Sequence, residues 1–95
     1  MRQAARVDDN QADIVQALEA AGATVLHLHQ LGKGAPDILV GFRKVNHLME
    51  IKDGDKSPSR RVLTADELTW HSNWRGDVLI VTSADDALRK IGATE

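Results

Sequence analysis

Apolar residues recur along this chain with two periods, and the period changes at glycines and prolines. After Asp8, Asp9 and Asn10, which offer helix caps, Ile14, Val15, Leu18 and Ala21 fall three and four apart. That spacing predicts one apolar stripe on a helix, which Gly22 ends. From Thr24 to His29 the pattern shortens to an alternation and predicts a strand, with Leu26 and Leu28 on one face and Val25, His27 and His29 on the other. A loop from Gln30 to Ala35 carries two glycines. Pro36 opens a second strand, Asp37 to Phe42, whose run Ile38-Leu39-Val40 is apolar on both faces and predicts a central position. Arg43, Lys44 and Val45 form a tight link to a third strand, Asn46 to Lys52, so the two strands should be an antiparallel hairpin.

A polar loop with Gly54 and Pro58 follows. Thr64 with Glu67 three residues on is a capping-box pattern and predicts a helix running to about Trp74, stopped by Gly76. Asp77 to Thr82 reads as a fourth strand, and Ser83 caps a last helix from Ala84 to about Ile91. The predicted order is α-β-β-β-α-β-α with no internal repeat, which implies an α/β domain with a mixed four-stranded sheet flanked by helices. Its 95 residues make one domain, with residues 1–8 expected to be a flexible arm.

Composition narrows the function classes. There is no cysteine, so disulfides and thiolate metal sites are excluded. No apolar run approaches the roughly 18 residues of a membrane span, and the N-terminus lacks the apolar stretch of a secretory signal; a cytoplasmic protein is the expectation. No GxxxxGK[ST] pattern is present, so a nucleotide cofactor is not expected. The net charge of −2 argues at first against a nucleic-acid partner, but its distribution does not. Residues 33–61 carry seven basic and four acidic side chains, a local +3 against −5 for the rest. Lys33, Lys56, Arg60 and Arg61 are candidates for phosphate contact, or equally for a solvated surface.

The chemistry concentrates at Pro36-Asp37 and, thirteen residues after Asp37, Glu50-Ile51-Lys52. Alternation on a strand puts Glu50 and Lys52 on one face. Asp37 begins the partner strand, so its carboxylate should approach that of Glu50. Two adjacent carboxylates repel unless a proton or cation joins them. Hard oxygen ligands suit Mg²⁺ or Mn²⁺, and the Lys52 ammonium can orient a water or hold a phosphate oxygen. Glu-x-Lys alone is common; the combination with Asp37 on a hairpin is specific.

With those residues in hand, the chain resembles the standalone VRR-NUC nucleases of bacteriophages and bacteria, members of the PD-(D/E)xK superfamily alongside archaeal Holliday junction resolvases. The resemblance rests on Gly34-Ala35-Pro36-Asp37-Ile38-Leu39-Val40-Gly41 and on Leu48-Met49-Glu50-Ile51-Lys52-Asp53-Gly54. It continues through Leu63-Thr64-Ala65-Asp66-Glu67, Trp70-His71, Trp74-Arg75-Gly76 and Ser83-Ala84-Asp85-Asp86-Ala87-Leu88. It implies a metal-dependent DNA endonuclease with Asp37 and Glu50 as metal-binding carboxylates, the backbone carbonyl of Ile51 as a further ligand, and Lys52 as catalytic lysine. It also implies branched DNA, such as four-way junctions, as substrate. Many relatives place a metal-supporting Glu in the first helix; here the matching position is Gln11, suited to holding a metal-bound water. Relatives often carry Gln where this chain has Glu67, whose role is a cap or a contact near the site.

Other features have two readings. His27 and His29, two apart on a predicted strand, can chelate a metal such as zinc or simply end the strand. Lys33 between two glycines suits a phosphate loop or a flexible turn. Trp70 and Trp74, four apart on a helix, suit base stacking, the core or a subunit interface. One catalytic set per chain and two equivalent strands at a junction imply a homodimer. The rival to a nuclease is a catalytically silent DNA-binding or assembly module on the same fold; the intact Asp37, Glu50 and Lys52 count against it.

Overall fold

The structure is a computed structural model that describes residues 9–94; the predicted N-terminal arm lies outside them. Helix α1 spans Gln11–Ala20 and strand β1 Thr24–His27. Strands β2, Ile38–Phe42, and β3, Val45–Ile51, follow. Helix α2 is Ala65–Asn73, strand β4 is Leu79–Val81 and helix α3 is Ala84–Lys90. Short 3₁₀ turns occupy His29–Leu31 and Pro58–Arg60. The predicted element order therefore holds. The sheet order is β1-β2-β3-β4, with β1 and β3 antiparallel to β2 and β4 parallel to β3. A parallel pair cannot close through a tight turn, so the chain crosses over through α2 before returning as β4.

β2 is central, as its apolar run requires. Ile38, Val40 and Phe42 bury on one face. They meet Met49 and Ile51 of β3, Val81 of β4, Ile14 and Leu18 of α1, and Ala87 of α3 in a single core. Each fully buried side chain of this size contributes roughly 1.5–3 kcal/mol. α1 and α3 thus cover one face of the sheet. Glu50 and Lys52 alternate to the opposite face, where they meet α2. No helix among the described residues is long and apolar enough to cross a membrane.

The differences from the sequence reading have physical causes. Ala21 is exposed and does not join the α1 stripe, because Gly22, at φ 98°, turns the chain so that Ala23 is buried instead. Asn10 sits at the N-cap of α1 but makes no side-chain cap. Its amide nitrogen instead donates to the carbonyls of Lys52, at 3.4 Å, and Thr82, at 3.1 Å, tying the helix start to the ends of β3 and β4. β1 stops at His27, because Leu28 to Leu31 close a turn, so His29 does not share a strand face with His27. The link between β2 and β3 is two residues, Arg43 and Lys44, both left-handed at φ 51° and 69°. That conformation matches the twist of the strands, and neither residue is the glycine or asparagine it favours. β4 is shorter than predicted, since its pairing to β3 runs only from Leu79 to Val81.

Candidate active site

Register brings the first two functional side chains together. Ile38 pairs with Met49, and the ladder continues one step further because the Asp37 amide donates to the Met49 carbonyl at 3.0 Å. Asp37 therefore stands opposite Glu50 with both side chains on the α2 face. Asp37 Oδ2 accepts a 2.6 Å hydrogen bond from the amide of Ile51, which locks the carboxylate against β3. Glu50 is 2% exposed, and its Oε1 is buried without a hydrogen-bond partner. Lys52, two residues on, returns to the same face: its Nζ lies 3.9 Å from Glu50 Oε2 and 2.7 Å from Glu67 Oε1.

Glu67 resolves the choice left by the sequence, because it does both things. Its Oε1 accepts from the Thr64 amide at 2.9 Å, completing the capping box, and the same oxygen accepts from Lys52. The α2 cap is thus joined directly to the lysine. One turn along α2, His71 Nε2 lies 3.8 Å from Glu50 Oε1. Sequence reasoning passed over His71; the usable signal was its i,i+4 spacing from Glu67, which puts both on one face of the helix.

Three carboxylates and one ammonium make a buried site with surplus negative charge. Burial pushes Glu50 up to about 10, and the charges of Asp37 and Glu67 push the same way. Lys52 does not cancel this, because its closest partner is Glu67 and not Glu50. Burial also raises Asp37, against the opposing hydrogen bond from Ile51. For Glu67 burial acts upward too, but Lys52 and the Thr64 amide outweigh it and hold the carboxyl below the usual range. At neutral pH the metal-free pair Asp37–Glu50 retains a proton, and a divalent cation would replace it. Two adjacent carboxylates with an unpartnered buried oxygen fit such a cation. Among the described residues no three His, Asp or Glu side chains form a ready-made cation cluster, so backbone oxygens or waters would have to complete it.

These groups open into a cleft of about 700 Å³. Lys33, Lys56 and Arg60 line it, and Lys56 is paired with Asp9 at 3.2 Å. Arg61 is not in the lining, and its Nε is buried without a partner. Gly34, at φ 84°, sits in the cleft wall next to α2. A Cβ there would strike the backbone of Asp66, so the glycine lets the loop pack against the first turn of α2. Gln11 is buried on the α1 side and approaches His27 Nδ1 at 3.5 Å through its amide nitrogen. With His27 and His29 it lines a separate cavity of about 400 Å³. The rings of His27 and His29 are 6.2 Å apart and edge to face, and no third protein ligand completes a zinc site among the described residues. Trp70 and Trp74 stack on each other at 4.8 Å, with Trp74 46% exposed, so neither anchors the core.

No family model and no curated protein matches the chain. Among solved structures, a VRR_NUC domain matches with a TM-score of 0.61 and 30% sequence identity. The match covers 85% of this chain and 88% of that one. Identity at that level over most of both chains, with a matching fold, shows that the chain belongs to the VRR-NUC family, a nuclease-type domain on the PD-(D/E)xK fold.

Proposed function

We propose that the chain is a divalent-metal-dependent DNA endonuclease that cuts branched DNA such as four-way junctions. One observation carries the reading: Asp37 and Glu50 face each other across β2 and β3 in a buried, charge-rich cleft, with Lys52 two residues on. A bound Mg²⁺ or Mn²⁺ would lower the pKa of an attacking water and offset the charge of the phosphate. Asp37 and Glu50 would hold that cation, with the Ile51 carbonyl as a third oxygen and Gln11 acting through a water. The Lys52 ammonium, already inside the cleft, stabilises charge on the phosphate oxygens as water attacks phosphorus and the bridging P–O bond breaks. Lys33, Lys56 and Arg60 extend positive charge along the cleft wall where the DNA backbone would run, and Arg61 lies just outside the lining.

A single chain has one such set and cuts one strand, so paired incision of a junction calls for a two-fold homodimer. Action on chromosomal or phage DNA would place the protein in the cytoplasm of a bacterium or an infected host cell. The test is single-turnover cleavage of duplex, single-stranded and four-way-junction DNA with Mg²⁺, Mn²⁺, Ca²⁺ or excess chelator. Cleavage is expected with Mg²⁺ or Mn²⁺ and strongest on the junction, with Ca²⁺ bound but slow. Asp37→Ala, Glu50→Ala and Lys52→Ala should each lose at least about 100-fold in rate, the scale set by removing a group that stabilises transition-state charge. Full activity in chelator rejects the metal. DNA binding without cleavage under every condition establishes the silent module instead.

A further inference from the structure

The two oxygens of Glu50 have different neighbours. Oε2 faces the Lys52 ammonium at 3.9 Å, and Oε1 faces His71 Nε2 at 3.8 Å. Oε1 and the imidazole nitrogen are both buried, and neither has a hydrogen-bond partner. A gap of 3.8 Å is about 0.8 Å longer than a good N–H···O bond. The two unsatisfied atoms therefore face each other within a small displacement of bonding. Buried polar groups in native proteins are nearly always paired, and here each of the two atoms is a complement to the other.

We propose that His71 is a positioning residue for Glu50: with the imidazole proton on Nε2, it donates to Oε1 and fixes the orientation in which the carboxylate shares a cation with Asp37. The inference rests on the metal site proposed above. The place of His71 is set by α2, because Glu67 anchors the helix start to Lys52 and the imidazole follows one turn later on the same face. Hydrogen bonds to ligating carboxylates orient them, and losing such a partner typically costs about 10–100-fold in metal affinity.

The experiment is Mn²⁺ titration of the full chain, without DNA, followed by the electron paramagnetic resonance of the free ion. The proteins compared are wild type, His71→Ala, His71→Gln and Glu50→Gln. His71→Ala should weaken Mn²⁺ binding about tenfold or more. His71→Gln, whose amide nitrogen can reach the same place, should recover binding to within about threefold of wild type. If His71→Ala does not fold, His71→Leu takes its place as the variant that fills the volume without the donor. Wild-type affinity in the variant lacking the donor overturns the proposal, and so does a loss that His71→Gln fails to restore. The failure of the metal site itself looks different: wild type and Glu50→Gln would then be equally blind to Mn²⁺, which overturns both readings. Binding lost in Glu50→Gln but intact in His71→Ala overturns the role of His71 alone.

Discussion

Glu50 is the residue at which burial and its own negative charge pull in opposite directions. It is almost fully buried beside Asp37 and Glu67, and burial with those charges lifts it from an ordinary 4.5 to about 10. Between those two values the folded chain binds a proton that the unfolded chain releases. The stabilisation from Glu50 is therefore complete below about 4.5 and drains away as pH rises toward about 10. Glu67 and Asp86 act in the opposite sense: their depressed carboxyls stabilise the fold above the normal range and lose that effect in acid. The expected outcome, in urea unfolding with chelator present, is that wild type loses stability between pH 6 and pH 8.5, while Glu50→Gln loses clearly less and is the more stable protein at the higher pH. Parallel losses in the two proteins would show that Glu50 is already ionised when the site is empty. Mn²⁺ should reverse the order, because only the carboxylate holds the ion.

Two elements show how local conformation serves the site. The β2–β3 hairpin aligns Asp37 with Glu50, and its turn places Arg43 and Lys44 in the left-handed region. That region costs non-glycine residues roughly 1–2 kcal/mol each. Arg43 recovers part of this by lying 4.8 Å over the Phe42 ring and donating to the Gly92 carbonyl at 3.4 Å. Replacing the pair by Asn-Gly should stabilise the chain by about 1 kcal/mol, which for a domain of this size raises the melting temperature by about 4–8 °C. Cleavage should be unchanged, since the turn is at the far end of the hairpin from Asp37 and Glu50. A lower melting temperature would show that the Arg43 contacts outweigh the strain. α2 is the contrasting element. It buries none of its residues and depends on the Thr64–Glu67 capping box and the Lys52 contact. Thr64→Ala removes the hydroxyl that accepts from the Glu67 amide at 3.2 Å; it should cost about 1 kcal/mol and lower the cleavage rate several-fold, because the loosened Glu67 is the residue that holds Lys52. Unaltered cleavage would separate the cap from the site.

At the scale of the molecule, one side of the sheet is closed and the other is half open. α1 and α3 seal the core face. On the α2 side Leu26, Ile80, Leu68 and Trp74 remain exposed, at 58%, 39%, 57% and 46%. Exposed apolar side chains such as Leu68 and Trp74 of the α2 segment offer surface for an interaction. The proposed homodimer is expected to use it, with Trp74 as the exposed aromatic and Trp70 stacked behind it. Trp74→Lys should then convert a dimer to a monomer in light scattering at assay concentration, with junction cleavage reduced and single-strand nicking kept. A monomeric wild-type chain would remove the dimer and leave the nuclease reading intact. DNA affinity should also fall steeply between 50 and 200 mM salt, as binding through phosphate contacts demands.

The sequence by itself determined the element order, the central place of β2 and the meeting of Asp37, Glu50 and Lys52 on one hairpin. Each depends on local rules: apolar periodicity, capping residues, turn length and the alternation of side chains on a strand. The same rules placed Thr64 and Glu67 at a helix start. They could not say that the Glu67 oxygen also holds Lys52, because that contact spans fifteen residues and depends on how α2 settles on the sheet. Nor could they show that Asn10 bonds across to Lys52 and Thr82 instead of capping its own helix, that Gly34 is needed against Asp66, or that Gln11 turns toward His27. The raised carboxyl of Glu50 likewise needs burial and two distant charges together. Local structure follows from neighbours in the chain; the electrostatics of the site follow from neighbours in space, and only the packed sheet and helix decide which those are.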